Sequence, residues 1–74
     1  MVNVQVLSKG EQTRERLMDI AQDAVLNKGF AGTSIDEIIA EAGITKSGFF
    51  YHFRDKNDLA KAMLQRYLDN EWRV

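Results

Sequence analysis

The chain contains no cysteine and no proline, and only five of its 74 residues are glycine. Without cysteine, a disulfide scaffold and a thiolate metal site are excluded, which is compatible with a reducing cytoplasm. The shortage of proline and glycine favours helices over a strand-and-turn architecture. The sequence has no apolar run of about 18 residues, so it predicts no membrane span and no membrane partner.

The composition also argues against catalysis. A chain of 74 residues has room for one small domain, and hydrophobic residues at 45% suffice for one helical core. No nucleophile lies beside a base, no carboxylate pair suggests a cleft, and no glycine-rich loop could hold a phosphate. The single histidine, His52, has no second ligand at metal-binding spacing. We therefore expect no enzyme, no catalytic residue, no cofactor and no metal.

Charge is unevenly distributed although the net charge is only −1. Residues 31–44 contain three acidic residues and no basic one, whereas residues 45–56 carry a net charge of +2 and also His52. A positive segment that faces outward can meet phosphates even on an acidic protein. Ordinary variation of surface charge would produce the same pattern.

A first helix is predicted from about residue 9 or 10 to Lys28. Its apolar face follows helical spacing and consists of Leu17, Ile20, Ala21, Ala24 and Val25. Gly29 should end the helix in the left-handed conformation, and Phe30 should then fold back onto the core. Residues 1–9 are expected to form a flexible arm.

A second helix is predicted from a capping box, in which Ser34 caps the helix and Glu37 reaches back to it. Its apolar stripe comprises Ile35, Ile38, Ile39 and Ala42. Gly43 should have positive φ in the turn, and Ile44 should enter the core.

Two more helices follow. Thr45 is the predicted N-cap of a very short helix that ends at His52, with Phe49 and Phe53 directed inward. Asp55 should cap a fourth helix at about 56–72. Apolar positions from Leu59 to Leu68 cover more than one stripe of this helix, which indicates two partners, one of them outside the chain. Trp72, among polar neighbours, indicates a missing domain or a natural stop in a fraying tail.

The stretch from about 34 to 53 has the pattern of a helix-turn-helix whose second helix enters the major groove of DNA. Lys46 and Lys56 can neutralise phosphates, and Lys46 can also reach guanine. Lys56 lies in the first turn of helix four, where backbone N–H groups favour a phosphate. Thr33 can donate its hydroxyl. The other candidates for DNA contact are Ser47, Gly48, Phe50, Tyr51 and His52.

Three of these candidates have a structural alternative. Phe50 can contact a thymine methyl or pack in the core. Gly48 either permits close approach to DNA or relieves crowding between helices, at a cost of about 1 kcal/mol relative to alanine. His52 is either a DNA contact or a hydrogen-bonded structural residue.

The run Gly43 to Phe53 (GITKSGFFYHF), followed by Lys56 and Leu59, closely resembles the recognition helix and following turn of TetR-family transcriptional regulators. The upstream residues Gly29-Phe30, Thr33-Ser34 and Ala42-Gly43 agree with this, and the resemblance covers about residues 11–71. It departs at Phe50, where the family most often has tyrosine, and at Gly48, where threonine or serine is frequent. Tyr51 is our candidate to replace the lost hydroxyl.

The resemblance implies an all-α fold: a homeodomain-like three-helix head over residues 10–74, with a fourth helix that links it to a larger domain. It implies double-stranded operator DNA as partner, and a C-terminal domain, absent from this chain, that forms a homodimer and binds a small-molecule effector. The expected function is that of a ligand-relieved repressor in the cytoplasm. The alternative is a small helical module that docks another protein through Leu64, Leu68 and Trp72 of helix four.

Overall fold

Four helices make up the described part of the chain. The computed structural model describes the backbone of residues 8–72 and the side chains of residues 8–69. The helices are α1 (Lys9–Lys28), α2 (Ile35–Ala42), α3 (Lys46–His52) and α4 (Lys56–Trp72), and no strand occurs among the described residues. The predicted all-α fold is confirmed. Of the predicted flexible arm, residues 1–7 lie outside the described residues, as does the side chain of Trp72.

α1 begins with a capping box that we did not predict. The hydroxyl of Ser8 accepts from the Glu11 N–H at 3.1 Å, and the Ser8 N–H donates to Glu11 Oε1 at 2.9 Å. This reciprocal pair satisfies two N–H groups at the helix start. The hydrogen bond from the Ser8 backbone N–H, together with the Ser8 side chain, holds the pKa of Glu11 below its ordinary value.

α1 ends differently from our prediction. Gly29 has a φ of 80°, which only glycine adopts readily, but its ψ of 162° lies outside the left-handed helical region. The predicted left-handed cap is therefore wrong. The extended ψ leads the chain away from the core face of α1, so that Phe30 is 41% exposed instead of packed in the core as predicted.

The turn between α2 and α3 agrees with the prediction. Ser34 and Glu37 form the expected capping box, with bonds of 2.9 and 3.1 Å. Gly43 has φ 70° and ψ 33°, in the left-handed region. Its N–H reaches the Ala40 carbonyl at 3.3 Å, and the Ile44 N–H reaches the Ile39 carbonyl at 3.4 Å, which is the bonding pattern of a Schellman motif. This motif fixes the direction in which α3 leaves α2.

The core draws on every helix and on the residue that follows α3. α1 packs against α2 and α4, and α2 packs against α3. The buried apolar residues are Leu17, Met18, Ala21, Ile38, Ala42, Phe49, Phe53 and Leu59, with Ile44 partly buried against them. Phe49 and Phe53 are 0% and 1% exposed, as predicted. Met18 was missing from the predicted face of α1, whose Ile20, Ala24 and Val25 are only half-buried.

A polar contact joins α4 to α1. The guanidinium of Arg66 donates through Nη1 to Glu15 and Asp19, each at 2.9 Å, and through Nη2 to Gln22 at 3.1 Å. Burial acts to lower the pKa of Arg66, but the bonds to the two carboxylates outweigh it and raise the pKa above its ordinary value. The positive charge of Arg66 is therefore paired within the chain.

The opposite side of α4 is apolar and exposed, as the prediction of a second stripe requires. Leu64, Tyr67 and Leu68 are 58%, 60% and 42% exposed. No helix in the part of the chain that the structure describes combines the length and the apolar character of a transmembrane span.

Candidate nucleic-acid interface

The seven residues of α3 present four different faces. Thr45 caps the helix, since its hydroxyl accepts from the Gly48 N–H at 3.0 Å. Side chains four positions apart then lie on the same side of the helix. Phe49 belongs to the face that enters the core, where its ring centroid lies 5.7 Å from that of Phe53. Because a helix of this length is unstable alone, these buried rings hold it in place.

The second face carries Lys46 and Phe50 and borders an open groove, which we call the α3 groove. This groove lies among α3, the start of α2 and the start of α4. It is lined by Ala31, Thr33, Ser34, Ile35, Asp36, Lys46, Phe50 and Lys56. Phe50 is 43% exposed and rests edge-on against Phe49, with ring centroids 5.3 Å apart. It therefore both packs on the core and presents an apolar edge to the groove.

The third face, with Ser47 and Tyr51, is the most exposed part of α3. The Tyr51 side chain is 83% exposed, and Ser47 is also exposed. The Ser47 hydroxyl lies 3.3 Å from that of Thr45. An exposed phenol of this kind can donate and accept hydrogen bonds at a base edge or a phosphate.

The fourth face, with Gly48 and His52, turns toward neighbouring protein atoms. A Cβ atom at Gly48 would lie 3.2 Å from the capping hydroxyl of Thr45, which is a tight contact. Of the two explanations for Gly48, the structure favours relief of crowding, although the crowding is with the helix cap and not between helices. His52 is half-buried and lies close to Gly10 in the first turn of α1.

Lys56 reaches the α3 groove from the first turn of α4. Its ammonium Nζ lies 4.4 Å from the centroid of the Phe30 ring, a cation–π contact. The backbone at this helix start is partly occupied, because the Asp58 N–H donates to the Asp55 carboxylate at 2.8 Å. Asp55 thus caps α4 as predicted. The two carboxylates of Asp55 and Asp58 weaken the attraction that the N-terminus of α4 was predicted to have for a phosphate.

Thr33 does not have the geometry expected of a phosphate donor. It is 3% exposed, and its hydroxyl donates to the Gly29 carbonyl at 2.9 Å. Its N–H donates to the Phe30 carbonyl at 3.2 Å. Because both donors are used within the chain, Thr33 braces the turn that follows α1.

The structure adds Asp36, which we had not selected. Asp36 lies in the first turn of α2, and its carboxylate is 3.8 Å from the Lys46 ammonium, with side-chain exposures of 81% and 67%. A carboxylate from the acidic segment, residues 31–44, therefore lies in the α3 groove beside its lysines. Helix-start acids are common in sequences, so only the position of α2 against α3 distinguishes Asp36.

The predicted residues therefore fall into groups. The structure brings Lys46, Phe50 and Lys56 together at the α3 groove, and it leaves Ser47 and Tyr51 on the adjoining outer face. It places Gly48 and His52 toward the protein and Thr33 in a buried turn. The arrangement is a short exposed helix flanked by two lysines, which suits a strand of phosphates beside a readable groove.

The family model described as bacterial regulatory proteins of the tetR family matches residues 17–63, which is more than half of the chain. The chain belongs to the TetR family. The matched range includes most of α1, the helix-turn-helix and the first turns of α4. The resemblance noted in the sequence is thus confirmed at the level of the family.

Several curated HTH-type transcriptional regulators are similar to this chain. The HTH-type transcriptional regulator AcrR of Shigella flexneri is 35% identical over 51 residues, which cover 69% of this chain and 24% of that protein. The HTH-type transcriptional repressor NemR of Escherichia coli is 34% identical, with coverages of 74% and 28%. The HTH-type transcriptional activator FasR of Mycolicibacterium smegmatis is 33% identical, with coverages of 81% and 27%. No solved structure gives a significant match. The chain thus spans about a quarter of the length of these relatives.

Proposed function

We propose that this chain is the DNA-binding head of a bacterial transcriptional regulator, and that α3 is its recognition helix. One observation carries the proposal: within a helix-turn-helix, Lys46, Phe50 and Lys56 line one open groove beside the exposed Tyr51. Two lysines spaced across a groove can neutralise phosphates, while the outer face of α3 meets base edges. Family membership supports the same function.

In this proposal the phosphate contacts come from Lys46 and Lys56, and the base-edge contacts come from Ser47, Phe50 and Tyr51. Gly48 leaves room for the Thr45 hydroxyl that caps α3 and so acts indirectly, and His52 contributes at the edge next to α1. Thr33 acts indirectly, through the turn that it braces. This assignment keeps the residues expected from the sequence but gives them unequal roles.

The test uses a fluorescein-labelled duplex of mixed sequence, because phosphate contacts do not depend on base sequence. Binding is followed by anisotropy over a series of salt concentrations. Lys46→Ala and Lys56→Ala should each weaken binding and reduce the salt slope by about 1. Lys61→Ala is the matched control, since this exposed lysine on α4 lines the cleft toward α1 instead.

The outcome separates the two functions that we considered. If both groove variants bind like the parent chain, the assignment of Lys46 and Lys56 as contacts fails. If the parent chain itself does not bind the duplex, docking through α4 becomes the better explanation. If only the groove variants lose affinity, selection of duplexes from a random pool by a dimerised head would then identify the operator sequence.

For the whole protein we propose a cytoplasmic homodimer whose further domain binds a small effector. The exposed apolar side of α4 supports a partner on that side, and the relatives are about four times as long as this chain. We propose repression relieved by the effector. Because the relatives include one named a repressor and one named an activator, the head alone does not determine whether the protein represses or activates transcription. A reporter assay with the full-length gene would decide between the two.

A further inference from the structure

We infer that Phe30 is a positioning residue for DNA binding, which holds the Lys56 ammonium at the edge of the α3 groove. The inference rests on the proposed function. Phe30 is 41% exposed, which is unusual for a large apolar side chain. Its ring nevertheless has a partner, because the Lys56 Nζ lies 4.4 Å from the ring centroid. Such a contact is favourable because the face of an aromatic ring is negative.

The turn after α1 places the ring. The positive φ of Gly29 turns the chain outward, and the Thr33 N–H closes the turn by donating to the Phe30 carbonyl at 3.2 Å. Gly32 is required in the same turn, because a Cβ there would lie 2.6 Å from the Lys28 carbonyl oxygen. The buried hydroxyl of Thr33 adds its bond to the Gly29 carbonyl. The backbone of Phe30 is thus fixed on both sides.

The ring limits the freedom of Lys56 without using up its charge. A lysine side chain loses rotamer entropy when it is immobilised, so holding it before DNA arrives lowers the cost of binding. An ammonium has three N–H donors, and a ring face covers one side of it. Among the described residues, no carboxylate lies within salt-bridge distance of Lys56. Its remaining donors can therefore meet a phosphate.

The experiment compares Phe30→Leu, which removes the ring, with Phe30→Tyr, which keeps it. Binding to the labelled mixed-sequence duplex is measured by anisotropy, as above. Phe30→Leu should weaken binding about two- to fivefold, the range that one exposed cation–π contact corresponds to, and Phe30→Tyr should bind like the parent chain. Tyr67→Leu is the matched control, since it removes an exposed aromatic ring on α4 that does not line the groove.

A double-mutant cycle with Lys56→Ala shows whether the ring acts through Lys56. In the Lys56→Ala background, Phe30→Leu should cause no further loss. An NMR readout needs no DNA: the side-chain methylene protons of Lys56 should be shifted upfield by the ring current, and Phe30→Leu should abolish this shift. A merely structural Phe30 would give the same loss of affinity in both backgrounds.

Each result bears on one of the two proposals. If Lys46→Ala and Lys56→Ala weaken binding but Phe30→Leu does not, the positioning role is overturned and the proposed function stands. Tighter binding by Phe30→Leu, which would mean that the ring sequesters Lys56, also overturns it. If Lys56→Ala binds like the parent while Lys46→Ala is weakened, Lys56 is not a contact and the inference is overturned with it. If neither lysine matters, the contacts proposed at the α3 groove fail and the inference fails with them. If the parent chain does not bind the duplex at all, the proposed function itself fails.

Discussion

The cations at the α1–α4 contact and at the α3 groove differ in how far their N–H donors are paired within the chain. At the α1–α4 contact, the guanidinium of Arg66 reaches three acceptors and its side chain is only 22% exposed. At the α3 groove, the Lys46 side chain is 67% exposed and Lys56 rests on an aromatic ring. A cation whose donors are satisfied by its own chain holds helices together. A cation with unsatisfied donors is available to an anion from outside.

The same contrast applies to hydrophobic groups. Phe49 is fully buried and anchors α3, whereas Phe50, its neighbour in sequence, is 43% exposed at the groove. A helix of seven residues is unstable alone, so α3 can expose polar and aromatic side chains on its other faces only because the buried Phe49 attaches it to the core. The groove therefore depends on the core for its shape and contributes little to stability itself.

The largest expected effect tests this dependence. Phe49→Ala should lower the free energy of unfolding by about 3–5 kcal/mol, because it leaves a cavity in a thin core. This is a large share of the total for a small domain, so much of the variant should be unfolded at room temperature. Urea denaturation followed by circular dichroism measures the change. Phe50→Ala is the matched control, with an expected loss of under ~1 kcal/mol; equal losses would contradict the division of α3 into faces.

Arg66→Gln sharpens the contrast between the two cationic regions. The variant loses charge-assisted hydrogen bonds to Glu15 and Asp19 and should be about 1–2 kcal/mol less stable in urea denaturation. The salt slope of binding to a mixed-sequence duplex should stay unchanged, because Arg66 is already paired. Arg16→Gln, at an exposed position of α1, is the control for stability. A salt slope reduced as far as by Lys46→Ala would mean that Arg66 contacts DNA.

Thr33→Val separates a brace from a phosphate contact. The isosteric change removes the hydroxyl with which the buried Thr33 donates to the Gly29 carbonyl, and it should cost about 1 kcal/mol of stability in thermal or urea unfolding. Because the hydroxyl proton is committed inside the turn, we expect no loss of affinity beyond that caused by a displaced Phe30. A further loss in the Lys56→Ala background would show that Thr33 meets the phosphate directly.

The smallest expected effect concerns the acidic side of the groove. Asp36→Asn removes the carboxylate 3.8 Å from Lys46 and should tighten binding to mixed-sequence DNA. A carboxylate and a DNA phosphate ~8 Å apart in water repel each other by ~0.5 kcal/mol, so removing the carboxylate should raise the affinity about twofold. Glu41→Gln makes the same charge change on the same helix but lines the cleft between α1 and α2. A gain of equal size in both variants would point to net charge and not to the groove.

Much of this molecule follows from short stretches of sequence. The capping boxes, the left-handed Gly43, the four helices and the inward Phe49 and Phe53 depend on residues within a few positions of each other, and local hydrogen bonds and side-chain periodicity decide them. The exceptions are instructive. Gly29 was assigned the right sign of φ but the wrong ψ, and the position of Phe30 changed with it, because φ and ψ at a helix end depend on what the following turn packs against.

The tertiary structure alone decided which groups meet across helices. The contacts of Phe30 with Lys56, of Asp36 with Lys46 and of Arg66 with Glu15 join residues on different elements, the last pair 51 positions apart. No local propensity encodes such pairs, because they depend on how the core sets each helix against the others. Residue types in α3 therefore point to DNA, whereas the packing of the other helices sets Asp36 beside Lys46 of α3 and Phe30 beside Lys56 of α4.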